Sequence, residues 1–308
     1  MISQRDMLAG IASAMLAGAL WGLVFLAPTL TPDFSAFEIS AGRYLAYGVV
    51  AGALIAPRWR GLCAKLKPGD WWALAWLSLA GNIVYYVFLA TAVQLSGPAP
   101  AALIVGLLPV AISLIGTRDE GAVSAARLAP SLLLAVTGVA LISTAALARD
   151  SGQASWQGIG LVCAVGALGC WTAFAVGNAR RITQLAHVSS HDWSLLLGVV
   201  TGAQALLMTP VFFLSGHDTS AWLRFAMVSC GIALLASVAG NALWNSASRR
   251  LPLTMTGQMV IFETLFALLY SFLWEQRLPS VLEVGAIAAL TAAVLWCVSS
   301  HPLPRPHE

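Results

Sequence analysis

Apolar residues run along this chain in ten long stretches, separated at regular intervals by clusters of charged residues, proline or glycine. The stretches fall at 8–28, 36–56, 71–95, 98–117, 126–147, 157–179, 192–214, 223–247, 253–274 and 280–299. Each is close to the ~20 apolar residues that a helix needs to cross the hydrocarbon core of a bilayer. The pattern predicts an all-α integral membrane protein with ten transmembrane helices. Connections are short, the longest being the basic segment 57–70, so no room remains for a soluble catalytic domain.

Composition strengthens that reading. Of 308 residues, 59% are hydrophobic and 9% charged, against roughly 25% charged in a soluble domain. The mean hydropathy of +0.81 spreads the apolar excess over the whole chain. A net charge of +3 comes from basic residues scattered through short loops, which excludes the concentrated stripe of a nucleic-acid binder. The five cysteines, Cys63, Cys163, Cys170, Cys230 and Cys297, show no C-x-x-C spacing and read as buried packing residues. The N-terminal segment lacks an A-x-A-type cleavage site, so no removable signal peptide is expected.

The placement of Lys and Arg orients the bundle, because cytoplasmic loops carry the positive excess. With the N-terminus inside, twelve basic residues fall in inner segments: Arg5, Arg58, Arg60, Lys65, Lys67, Arg118, Arg127, Arg180, Arg181, Arg249, Arg250 and Arg305. Only Arg149, Arg224 and Arg277 fall outside, while Arg43 lies within the second span. Both termini are therefore expected in the cytoplasm, in the bacterial-type inner (plasma) membrane.

The two halves also repeat. Gly48-Val49-Val50-Ala51-Gly52-Ala53 returns as Gly198-Val199-Val200-Thr201-Gly202-Ala203, and the same shift of 150 carries Trp21 to Trp171. Ala80-Gly81-Asn82 returns as Ala239-Gly240-Asn241, and Glu120 matches Glu275. Residues 1–150 and 151–308 are thus expected to form two five-helix repeats within one transmembrane unit. An odd number of spans makes the second repeat enter from the opposite side, an inverted topology that recurs in secondary transporters with a midplane site. Gly18/Gly22, Gly48/Gly52 and Gly198/Gly202 read as close helix packing.

The five-plus-five arrangement, Arg43-Tyr44-Leu45-Ala46, Pro109-Val110 and the span-ending Glu120 and Glu275 resemble the EamA family of the drug/metabolite transporter superfamily. Ala242-Leu243-Trp244-Asn245 and Tyr85-Tyr86 are similar to the YddG-type aromatic amino acid exporters within it. The resemblance covers nearly the whole chain. It implies a central cavity lined mainly by helices 1, 3, 4, 6, 8 and 9, and export of amino acids or related metabolites. Glu263-Thr264-Leu265-Phe266 departs from the Glu-Pro-Val-Phe of many members, which removes the ground for a proline break there.

Polar side chains inside spans are expensive and mark function by default. Glu263 sits about eleven residues, or ~16 Å, from either end of its span. It either holds a substrate ammonium or exchanged proton, or locks two helices. Arg43, five residues after Glu38, either closes a bundle-locking ion pair or guides a carboxylate at the outer mouth. Asn82, Asn241, Asn245 and Gln258 offer donors and acceptors together, and Gln94 does so nearer a span end. Trp21, Tyr85, Tyr86, Trp171 and Trp244 lie away from the membrane interfaces and are candidates for a cavity wall. Trp71, Trp72, Trp156, Trp193, Trp222 and Trp274 read as interfacial anchors. Pro109 frees the carbonyl of Val105 and bends the fourth span, as a gating element or as a simple kink.

These readings favour a secondary transporter working by alternating access, in the export or the import direction, with other metabolites or drugs as further substrates. No cofactor, metal or nucleic-acid partner is expected; the partners are a small solute and the lipid bilayer, with a monomer sufficient. No Walker motif is present to consume ATP. A polytopic enzyme is the rival, but neither H-E-x-x-H nor G-x-S-x-G occurs and the five histidines lie outside the spans. A membrane scaffold has no need of an aromatic and amide-lined midplane.

Overall fold

The computed structural model describes residues 4–116, 125–149, 154–185, 188–213, 216–250 and 259–299, and among them all regular structure is helical. Helix is what a membrane demands, since backbone N–H and C=O groups find no water in the hydrocarbon and must bond within the segment.

Helix α1 spans Gln4–Gly22 and α2 spans Ala36–Ile55. Helix α3 comprises Pro68–Ser78, a π-helical stretch Leu79–Val84 and Tyr85–Ser96. Helix α4 is broken into Pro98–Val105 and Leu108–Gly116. Helices α5 (Ala125–Arg149), α6 (Ala154–Gln184) and α7 (Ser190–Leu206) follow. Helix α8 again has three parts, Thr219–Ile232, a π-helical Ala233–Gly240 and Asn241–Arg250. Helices α9 (Ile261–Trp274) and α10 (Val281–Ser299) close the chain.

All ten apolar stretches thus contain helix. Among the described residues, six helical runs are long and apolar enough to cross a bilayer: Met7–Phe25, Ala36–Cys63, Pro68–Ser96, Ala126–Ala146, Ser155–Ile182 and Thr219–Trp244. Pro98–Ile112, Ile261–Trp274 and Val281–Trp296 are shorter apolar helices. The break in α4 sits where Pro109 predicts it. Pro109 cannot donate to Val105, and the chain tightens instead through Leu107 N–H to the Ile104 carbonyl at 3.1 Å. Thr264 lies inside the continuous helix α9.

Helix pairing follows a regular scheme. α2 packs on α7, α4 on α9 and α5 on α10; α3 and α4 pack on α6, and α8 and α9 on α1. Replacing each helix by the one five places along returns the same scheme. The glycines act at these crossings: Gly18 lies against the backbone of Phe262 and Glu263, and Gly22 against that of Phe266 and Ala267.

Large apolar side chains such as Val49, Val136, Val162 and Leu207 are exposed on the outside of the bundle, where lipid takes the place of water. Trp72, Trp156 and Trp274 are exposed, as interfacial anchors should be. Trp193 corrects the expectation: it is buried and donates from Nε1 to Asn178 Oδ1 at 2.8 Å, because the first turn of α7 tucks under the end of α6. Trp222 is also drawn inward, onto Phe34, Phe212 and Phe225. Cys230 is exposed and Cys63, Cys163 and Cys170 are half-buried, so the thiols are less enclosed than their type implies.

Candidate functional site

A cavity of about 540 Å³ lies inside the bundle, within the ~300–1,000 Å³ usual for small-molecule sites. Its wall combines residues of α1 (Trp21), α2 (Arg43, Tyr44, Tyr47), α3 (Gly81, Asn82, Tyr85), α4 (Leu108, Ile112), α6 (Trp171, Phe174, Ala175, Asn178, Ile182), α7 (Ser190, Ser194, Leu197), α8 (Ala236, Ser237, Asn241, Trp244) and α9 (Glu263). Val24 and Val260 complete it.

Two aromatic pairs build opposite parts of the wall in the same way. Trp21 of α1 meets Trp244 of α8 with ring centroids 5.1 Å apart, and Trp171 of α6 meets Tyr85 of α3 at 6.0 Å. The shift of 159 that relates Gly81-Asn82 to Gly240-Asn241 also relates Tyr85 to Trp244. Both matched glycine-asparagine steps fall on a π-helical stretch or its end. A π turn leaves a carbonyl without its usual partner, and here the Ala236 carbonyl accepts from Trp21 Nε1 at 3.0 Å. The glycines make space for the crossing helix: a Cβ on Gly81 would strike the Phe174 ring at 2.2 Å, and one on Gly240 would strike Trp21 Nε1 at 2.7 Å.

Polar groups on the wall are partly spoken for. Asn82 donates from Nδ2 to Thr201 Oγ1 at 2.8 Å, and the Tyr47 hydroxyl donates to the Ser194 carbonyl at 3.1 Å. Glu263 stands in the first turn of α9, where the positive end of the helix dipole favours a carboxylate. Arg43 does not turn to Glu38. Glu38 closes a capping box with Ser35, accepting its backbone N–H at 2.8 Å, and lies 3.5 Å from His217 Nε2. Arg43 instead lines the cavity, with its guanidinium carbon 4.3 Å from the centroid of the Tyr86 ring and 5.1 Å from that of Tyr44.

Of the residues read from the sequence, Trp21, Arg43, Asn82, Tyr85, Trp171, Asn241, Trp244 and Glu263 come together on this one wall. Tyr86 does not line it: fully buried, it stands behind Arg43 and donates its hydroxyl to the Val24 carbonyl at 3.4 Å. Pro109 sits beside the wall residue Leu108 and shapes α4 without lining the cavity. Gln94 is used structurally, donating to the Phe34 carbonyl at 2.8 Å. Gln258 and Glu120 lie outside the described residues, as does the side chain of Asn245. Sequence reading passed over Tyr44, Tyr47, Phe174, Asn178 and Ser237. Spacing alone offered the α6 set, since 171, 174, 175, 178 and 182 share one helical face.

The cavity reaches Ser190, an exposed residue at the start of α7. Beside this end, ion pairs join Arg58 to Asp192 at 3.2 Å and Arg181 to Asp70. At the opposite end, Phe34 is buried under His217, Trp222 and Phe225, with centroids 4.2, 5.0 and 4.3 Å away, and Asp33 pairs with Arg224 beside it.

No family model matches the chain. A solved crystal structure aligns over 96% of this chain and 98% of its own with a TM-score of 0.61 and 22% sequence identity, which shows a shared fold alone. The inner membrane protein YtfF of Escherichia coli (strain K12) is 32% identical over 318 residues, covering 96% of this chain and 97% of that protein. With that relationship and its apolar helices, the chain is a multi-pass, transporter-like inner membrane protein. It belongs to the family of YtfF.

Proposed function

We propose that this protein is a secondary carrier of the EamA type, similar to the YddG-type exporters, that moves amino acids or related small metabolites out of the cell. The observation that carries the reading is the cavity: about 540 Å³, walled by aromatic and amide side chains, reaching an exposed surface at Ser190 and ending short of the packed Phe34 layer. A site reachable from one side and shut from the other is what alternating access requires of one conformer. The exchangeable helix pairing and the twin aromatic pairs support two inverted five-helix repeats, ten crossings in all. The bias of Lys and Arg supports both termini and the Ser190 end lying in the cytoplasm, with this conformer facing inward. Aromatic faces favour aromatic or other hydrophobic side chains and also attract an ammonium group. The protein acts by binding and rearrangement in a monomer, with no covalent chemistry, cofactor, metal or nucleic acid.

The test is flux. Purified protein in liposomes, loaded in turn with labelled amino acids, nucleosides and quaternary amines, is expected to give saturable release of amino acids above that of empty vesicles. Release indistinguishable from empty vesicles for every solute refutes the carrier.

A further inference from the structure

Arg43 is buried, with 9% of its surface exposed, and it lines the cavity. Of its three guanidinium nitrogens, Nη2 donates to Ser237 Oγ at 3.4 Å, while Nε and Nη1 have no hydrogen-bond partner. Tyr86 and Tyr44 hold the cation by their ring faces, which restrains it without saturating its donors. Breaking or omitting the partner of a buried charge costs several kcal/mol, and Nε and Nη1 are themselves shielded from solvent, so a chain that keeps this cation beside a solute chamber has a use for a positive charge there. Among the described residues the same chamber carries one carboxylate, Glu263, on α9.

We infer that Arg43 receives the carboxylate of the transported solute while Glu263 faces its ammonium group, so that these two side chains set the specificity of the site. Resting on the carrier reading, this specifies which groups recognise the solute. A zwitterion neutralises both wall charges at once. A free phosphate satisfies Arg43 but brings surplus negative charge toward Glu263, and an amine without a carboxylate leaves the guanidinium unmet.

The test compares phenylalanine, N-acetylphenylalanine, phenethylamine and inorganic phosphate as ligands of the purified full-length protein, by calorimetry in detergent. The parent should bind phenylalanine most tightly. Arg43→Gln should weaken phenylalanine and N-acetylphenylalanine by roughly tenfold or more, the scale of a lost hydrogen bond to a charged group, and leave phenethylamine unchanged. Glu263→Gln should weaken phenylalanine and phenethylamine, the two ammonium-bearing probes, and leave N-acetylphenylalanine unchanged. Should Arg43→Gln fold poorly, phenylglyoxal modification of Arg43 in the parent, read by mass spectrometry, should be slowed by phenylalanine but not by phenethylamine. Undiminished carboxylate binding in Arg43→Gln, unprotected Arg43, or tightest binding of phosphate or of the amine overturns the inference, as does a parent that binds no carboxylate probe. Saturable amino acid flux alongside any of those results leaves the carrier standing and removes only Arg43.

Discussion

Gly48 and Gly202 meet backbone to backbone where α2 crosses α7: a Cβ on Gly48 would sit 2.5 Å from the Gly202 Cα, and one on Gly202 would sit 2.6 Å from the Gly48 Cα. Neither helix can yield without parting the two halves of the chain. Gly48→Ala and Gly202→Ala are each expected to destabilise the protein by about 1–3 kcal/mol, as overpacking does. Gly52, with open space where its Cβ would stand, serves as the control. Thermal unfolding in detergent should show two lowered midpoints and an unaffected Gly52→Ala; three equal midpoints contradict the contact.

Phe34 is the centre of the closed end, and Phe34→Ala removes a ring packed on three others. A buried Phe→Ala change costs ~3–5 kcal/mol, here charged to the closed arrangement. Ala236→Cys, made in a cysteine-free background, reports on the cavity. An impermeant maleimide should label it in oriented vesicles from one side in the parent and from both sides after Phe34→Ala. One-sided labelling in both proteins argues that another layer makes the seal.

Asn82 bonds Thr201 and also faces the cavity. Interhelical bonds of this kind average about 0.6 kcal/mol, so Asn82→Ala should scarcely change stability while lowering flux severalfold. Thr201→Val deletes the same bond but leaves the amide in place. Equal flux losses in the two variants would reduce Asn82 to a structural role.

Asp218 caps the start of α8 from outside the membrane. The Ala221 backbone N–H, 2.8 Å from Oδ1, and then the Ser220 hydroxyl hold its carboxyl below the ordinary 3.8. A depressed folded value means that the stabilisation is complete above the ordinary value and fades as pH falls through the lowered one. Asp218→Asn should therefore differ from the parent in unfolding midpoint at neutral pH and converge with it below pH 3.8. A difference that persists in acid assigns the effect to something other than ionisation.

Glu263 is the one carboxylate on the described cavity wall. If it exchanges a proton during transport, Glu263→Gln abolishes the acceleration of flux by an imposed pH gradient while exchange at equal pH persists. Matching gradient responses in variant and parent dismiss the proton role.

Much of this site was legible because membrane burial makes polar residues conspicuous. Glu263, Arg43, Asn82 and Asn241 stand out in apolar runs, and the structure brings all four to one wall. The partner of Arg43 was not legible. Glu38 is close in sequence, but Ser35 at the helix start captures it through a local capping box, a short-range competitor that spacing alone underweights. Trp193 and Tyr86 misled for a related reason: an aromatic residue near a span end or beside a cavity residue carries no mark of which way it turns. The π-helical stretches were invisible as such, since their residues are ordinary helix formers, although the repeated glycine-asparagine steps lay on them.

On the carrier reading, the packed Phe34 layer also decides where the membrane's electric field does its work. Water entering such a carrier from the Ser190 side would bring that side's potential to Arg43, and the voltage would then fall mainly across the aromatic layer beyond. Moving one elementary charge through 100 mV involves about 2.3 kcal/mol. Solute entry into this conformer should therefore be nearly insensitive to voltage, and opening of the aromatic layer should carry whatever voltage dependence the transport cycle has.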